Sequence, residues 1–184
     1  PVVSFSSLLF LCAAAAAVLL IKTSLHISQW VGPADSILAA QQQQQPLNIK
    51  QGFASTLAAF ASASGGASVG QYGPIVHFGA TVGVWVTRFV SSRLSHDIYL
   101  GCGVAAAISA GFNAPIAGVI FAHEAILRHF SMRAIAPITV ASISASTLGN
   151  YWFPNTAALD IESVVPSLTE VVPTLIVLAP VFSL

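Results

Sequence analysis

A chain of 184 residues with 55% hydrophobic and only 7% charged side chains stands far from the roughly 25% charged residues of an ordinary soluble domain, which excludes a conventional soluble fold. Six basic and six acidic residues cancel, so the polycationic face that nucleic-acid binding requires is missing and no nucleic-acid partner is expected. At roughly 20 apolar residues per membrane helix, the length allows five or six hydrophobic segments joined by short connections.

The first segment, about Val2–Ile21, opens as PVVSFSSLLFLCAAAAAVLL. It has no basic region before it and no cleavage site before Lys22, so it reads as a membrane helix and not as a signal peptide. Cys12 in this run and Cys102 further on both lie among apolar residues and read as small buried hydrophobes, not as a disulfide. A helix restarts at Trp30-Val31-Gly32-Pro33, and the glutamines of Gln41–Gln45 sit in a polar loop over 41–50 that is assigned no function. Phe53–Ala63 is too short to span comfortably, and Ile75–Val90 follows it. Ile98–Leu127 exceeds one span and is interrupted by Gly111-Phe112-Asn113-Ala114-Pro115. Ala134–Leu148, a loop over 150–170 and an apolar run at Val171–Leu184 complete the chain.

Segments this unequal, broken by Gly and Pro, point to re-entrant or discontinuous helices. The expected fold is all-α, a multi-pass membrane protein with a single transmembrane domain over 1–184. Both ends fall within apolar runs, so the chain is expected to be a piece of a longer protein. If Ile98–Leu127 enters and turns back at its break, Arg88, Arg93, Arg128 and Arg133 share one side, where Lys22 and Lys50 can join them. The loop carrying Asp160, Glu162 and Glu170 falls opposite with no basic residue. The basic side is then cytoplasmic. Small residues crowd the middle of the chain, and Gly66/Gly70 and Gly79/Gly83 carry the spacing that lets helix backbones approach closely in lipid.

The chemistry centres on Gly65-Gly66-Ala67-Ser68-Val69-Gly70-Gln71-Tyr72-Gly73-Pro74, which interrupts an apolar region and restarts a helix with Pro74 in its first turn. With Gly32-Pro33 and Ala114-Pro115, this makes three broken helix starts. A helix start within a membrane leaves amide N–H groups unpaired beside about half a positive charge from the macrodipole, and an anion satisfies both. A Lys or Arg at the midplane would cost on the order of 3 kcal/mol or more and would hold an ion too tightly for rapid exit. Apart from Arg88 near the end of one run, the apolar runs contain neither. A permeation site built of partial charges fits that pattern and favours small anions.

GASVGQYGPIVHFGA resembles the first signature of the CLC chloride channel and transporter family, in which a Gly-x-Glu-Gly-Pro segment opens a pore helix. AAAISAGFNAPIAGVIFAHEAILR is similar to the second, a Phe-Asn-Ala-Pro-x-Ala-Gly run leading into a helix that ends in acidic residues. Order and spacing agree with the family, and weaker similarity extends from about Phe10 to the end. The resemblance implies a homodimer of two inverted repeats with a pore in each subunit, of which this chain covers most of the first repeat. It implies chloride as the transported ion, no cofactor, and a multi-pass protein of a bacterial-type inner membrane. It places Gly70, Gln71, Tyr72, Gly73 and Pro74 on the outer anion path, with Gly32 and Pro33 at a second pore-helix start and the dimer interface on about Ile116–Leu127 and Ala134–Leu148.

Three departures qualify the match. The family's gating glutamate falls on Tyr72. Its internal proton-transfer glutamate falls on Ala125, with Glu124 in the position before it. The family's Gly-Ser-Gly-Ile-Pro segment maps loosely onto Val31-Gly32-Pro33-Ala34-Asp35, without the serine. Passive chloride conduction uncoupled from protons is the expected activity; a chloride/proton antiporter with an atypical proton route and a non-conducting structural subunit are the alternatives. Tyr72 also reads as an interfacial aromatic, Glu124 as a structural acid four residues before Arg128, and Asp35 as a dipole-stabilised helix-start acid or a solvated vestibule acid. No enzyme is expected, since neither Gly-x-Ser-x-Gly nor paired intramembrane aspartates occur. His123 and His129 are six residues apart, about 240° around a helix, which is wrong for a metal site.

Overall fold

The computed structural model describes residues 5–41, 47–67, 70, 72–90 and 94–153. Among them every regular element is helical: α1 (Phe5–Ser24), α2 (Pro33–Gln41), α3 (Ile49–Ser64), α4 (Tyr72–Val86), α5 (His96–Phe112), α6 (Pro115–Phe121) and α7 (Met132–Trp152). The ladder of α6 widens into a π-turn over Ala122–Leu127. The expected apolar run at 171–184 and most of the loop expected at 150–170 lie outside the described residues, while α7 takes in Asn150–Trp152. Likewise α2 and α3 take in both ends of the stretch expected as a polar loop over 41–50.

Local chemistry sets the helix limits. Asn48 caps α3 by accepting from the amides of Lys50 and Gln51 at 3.1 and 3.5 Å. The helix ends in a Schellman motif, with Ala67 N–H donating to the Ser62 carbonyl, Gly66 N–H to Ala63, and Gly66 at φ 92. Gly66 and Gly70 (φ 73) therefore serve as left-handed turn residues between helices, with open space where a Cβ would be. Their spacing does not pack helices, contrary to the sequence expectation. Gly79 and Gly83 do: a Cβ on either would collide with the Gly103 or Tyr99 carbonyl of α5.

The α4–α5 contact is the centre of the packing, and α5 continues onto α7. Leu100, Val104, Ala105 and Ile108 of α5 meet Ala80 and Val84 of α4 and Ile138 of α7 in one core. The expected break in Ile98–Leu127 is real. Asn113 takes left-handed backbone (φ 51, ψ 39), Ala114 (φ −128, ψ 73) leaves the helical region, which the following proline disfavours, and Pro115 opens α6.

The break is pinned by polar contacts. Asn113 Oδ1 accepts from Ser146 Oγ and Asn150 Nδ2, both at 2.9 Å. Ser142 Oγ donates to the Pro115 carbonyl at 2.7 Å, and Ser109 Oγ donates to the Ser142 carbonyl at 2.6 Å. α1 packs on α3 through the Phe10–Ala14 side, where Gly65 meets Ala14. Cys12, about 200° away from both residues, is exposed, not buried as expected.

No helix among the described residues is both long and apolar enough to cross a membrane. α4 rises about 22 Å over its 15 residues, short of a hydrocarbon core of roughly 30 Å. The long run through Leu127 is split by its break, as expected, into α5 and α6.

Candidate functional site: a junction of helix starts

The beginning of α2 is tied to itself and to α3. Gly32 N–H donates to Asp35 Oδ2 at 2.7 Å, half of a capping box in which a side chain three residues into the helix satisfies the cap amide. Val31 N–H donates to Ser55 Oγ at 3.1 Å, and Ser36 N–H reaches the Gly32 carbonyl at 3.3 Å. Asp35 is thus a helix-start acid, the first of its two sequence readings. Pro33 has no amide hydrogen, so the donors without an intrahelical partner at this end are those of Ala34 and Asp35.

α4 begins at Tyr72, and its first turn holds Tyr72, Gly73 and Pro74. Tyr72 and Gly73 are its amides lacking an intrahelical acceptor. Gln71 lies outside the described residues. Gly73 faces Pro33 so closely that a Cβ on it would stand 3.3 Å from Pro33 Cγ. Two of the three helix starts found in the sequence therefore touch.

The third break joins them through side chains. The Tyr72 ring stacks on Phe112 with centroids 4.7 Å apart and planes 12° from parallel, and Ile75 Cδ1 lies 3.6 Å from where a Gly111 Cβ would be. Tyr72 remains 68% exposed, so one face of the phenol is held while the rest is accessible. Residues 32–33, 72–74 and 111–112 meet in one place although up to 80 positions separate them.

One turn deeper, Ser36 Oγ and His77 Nδ1 are 2.7 Å apart and both side chains are buried, which fastens α2 to α4. His77 Nε2 has no partner among the described residues. The two residues do not stand out in the sequence as a pair. The available signal was spacing: Ser36 lies one turn into the helix opened by Pro33, and His77 one turn into the helix opened by Tyr72.

Glu124 and Ala125 belong to the π-turn, Glu124 exposed and Ala125 partly buried. Arg128 leaves that turn in left-handed backbone at φ 58, outside the regular register that pairing with Glu124 would use. Their neighbour His123 is buried. Its ring stacks on Phe130 at 5.2 Å, and its Nδ1 lies 2.9 Å from the Val119 carbonyl. α2 packs on both α4 and the π-turn, so one short helix links the Tyr72 region with the Glu124–Ala125 region.

The chain is similar over 112 residues, at 27% identity, to a ClcB-like chloride channel protein of Ralstonia nicotianae, covering 58% of this chain and 26% of that protein. It is 25% identical over 114 residues to the voltage-gated ClC-type chloride channel ClcB of Yersinia pseudotuberculosis, covering 61% and 27%. It is 35% identical over 80 residues to chloride channel protein CLC-d of Arabidopsis thaliana, covering 35% and 10%. The chain thus spans about a quarter of the length of the two bacterial relatives. No solved structure matches it. The sequence profile of the voltage-gated chloride channels aligns with residues 9–184, nearly the whole chain, and the chain belongs to that family.

Proposed function

We propose that the full-length protein is a multi-pass membrane protein that conducts small anions, chloride foremost, and that the start of α4 forms part of the outer anion path. The observation that carries this reading is the contact of Gly73 with Pro33, which brings two helix starts together without Lys or Arg in their first turns. The two starts are not equivalent. At α2 a full carboxylate charge on Asp35 outweighs the roughly +0.5 of the helix end, so that end repels a second anion. α4 has no acidic residue in its first turn. The anion is therefore assigned to the Tyr72 and Gly73 amides, with Gly32 and Pro33 as a supporting wall.

Tyr72 occupies the gate position and the path is passive, because neither the phenol there nor the alanine at position 125 supplies a carboxylate. Exposed apolar side chains on α6 and α7, Ile116, Val140, Ile143 and Leu148 among them, support a homodimer through these helices with an independent pore in each subunit. Similarity to the bacterial ClcB-type relatives and the sidedness expected of the basic residues from the sequence support a bacterial-type inner membrane with that side cytoplasmic. The test is anion flux: full-length protein in liposomes under a chloride gradient gives reversal potentials that follow chloride. Potentials that follow the cation gradient overturn the proposal, and an absence of flux favours a structural subunit.

A further inference from the structure

At the far end of α4 from Tyr72, a cavity of about 410 Å³ opens between α4 and the beginnings of α3 and α5. Leu47, Ile49 and Val84 supply its apolar lining, and Asn48, Thr87, Arg88 and His96 its polar lining. Leu47 and Val84 are buried, so the cavity reaches the core. Its volume is many times the roughly 30 Å³ that one water takes in the liquid.

Among the described residues no acidic side chain lines this cavity. Arg88 stands in the turn after α4, and His96 is the first residue of α5. Asp97, the neighbouring acid, does not line the cavity. Asn48 spends its side-chain oxygen on the amides of Lys50 and Gln51, which leaves its NH₂ group as a donor. The Thr87 hydroxyl donates to the Val84 carbonyl at 2.7 Å, so the Arg88 guanidinium, the His96 imidazole and the Asn48 carboxamide, set over apolar side chains, are the donors that suit a phosphate oxygen cluster joined to a hydrocarbon-bearing group.

The surroundings select the source of that phosphate. Trp85 and Phe89 are both exposed and meet edge to face at 5.1 Å, beside Arg88. An exposed Trp next to Arg marks the level of a bilayer interface, where phospholipid headgroups lie. Basic pockets between helices on the cytoplasmic side capture anionic headgroups there.

We infer that the cavity lined by Arg88, His96, Thr87 and Asn48 is a binding site for the phosphodiester headgroup of an anionic phospholipid. This rests on the membrane reading above, but not on conduction. Arg88 forms the charge-assisted contact, His96 and Asn48 add donors, and the glycerol end lies against Ile49 and Val84. The site is separate from the helix-start junction, and occupying it ties α3, α4 and α5 together at the membrane surface.

The experiment reconstitutes full-length protein into an equimolar mixture of phosphatidylcholine and phosphatidylglycerol, extracts it gently and identifies retained lipid by native mass spectrometry. Wild type is expected to retain phosphatidylglycerol several-fold over phosphatidylcholine. Arg88→Gln and His96→Gln are expected to lose that preference, and Arg88→Lys to keep most of it. Equal retention by wild type and both Gln variants overturns the inference. Displacement of the lipid by millimolar inorganic phosphate overturns the lipid assignment in favour of a soluble phosphate site. A monodisperse peak on size exclusion, matching that of wild type, reports the folding of each variant. If wild type shows no flux yet keeps its lipid preference, the conduction proposal fails while the headgroup site stands.

Discussion

Ser36 Oγ lies 2.7 Å from His77 Nδ1, and this buried contact ties the first turn of α2 to the second turn of α4. With Gly73 against Pro33 it fixes two helix starts at two levels. Ser36→Ala removes the partner of an imidazole that is 2% exposed, and a buried polar group left unpaired costs about 1–3 kcal/mol. The expected outcome is a lower unfolding midpoint for Ser36→Ala in detergent. Ser36→Ala combined with His77→Leu is expected to cost less than the sum of the single variants, because the apolar pair leaves nothing unsatisfied. Additive losses in that cycle count against the bridge as a coupling element.

Much of this arrangement was legible in the sequence, and the illegible part has identifiable causes. The break at Asn113-Ala114-Pro115 and the starts at Pro33 and Tyr72 followed from Gly and Pro, which act locally. That the three places meet did not, because contact between residues 33 and 73 or 72 and 112 is a tertiary result. The Gly66/Gly70 spacing misled, since a four-residue interval carries the same signal inside a helix and across a turn. The sequence leaves the role of Asp35 open; Gly32 N–H donates to its carboxylate, and that bond also removes one of the amides expected to face an anion. Widening of α6 into a π-turn leaves no signature in AHEAIL that periodicity detects.

Close approach of α4 and α5 depends on Gly79, Gly83 and Gly103, where an added Cβ would strike a facing carbonyl. Gly103→Val is expected to destabilise by about 1–3 kcal/mol through overpacking, with loss of monodisperse protein on size exclusion. Gly111→Ala is the control. Its Cβ would meet only ordinary contacts at 3.6 Å to Ile75, and it lies near the C-terminus of α5, so its effect is expected within about 1 kcal/mol of wild type. Equal damage from both variants would contradict the packing described.

Tyr72 is held by Phe112 through a near-parallel stack, which makes Phe112 a positioning residue for the proposed gate. Tyr72→Ala is expected to raise chloride flux by removing the obstruction. Phe112→Ala is expected to change it in the same direction and by less, because the phenol is freed and not removed. The double variant is expected to match Tyr72→Ala alone. An additive double variant would mean that the two rings act on separate steps.

The sharpest expectation concerns protons. Stoichiometric exchange needs a carboxylate or an equivalent group at the outer gate and usually another on an inner route, and positions 72 and 125 hold tyrosine and alanine. Glu124 is one residue away from position 125, about 100° around a regular helix, and it is exposed on a π-turn. Chloride movement is therefore expected to be uncoupled, with weak dependence on pH. Tyr72→Glu is expected to introduce acid-dependent gating without exchange, since it restores a titratable gate and no inner carrier. The measurement imposes a chloride gradient across proteoliposomes of the full-length protein, clamps the voltage and records pH. Sustained uphill proton movement driven by chloride would overturn passive conduction. Glu124→Gln and His123→Gln would then identify the carrier, because His123 is the buried titratable side chain beside Glu124 and its Nε2 has no partner among the described residues.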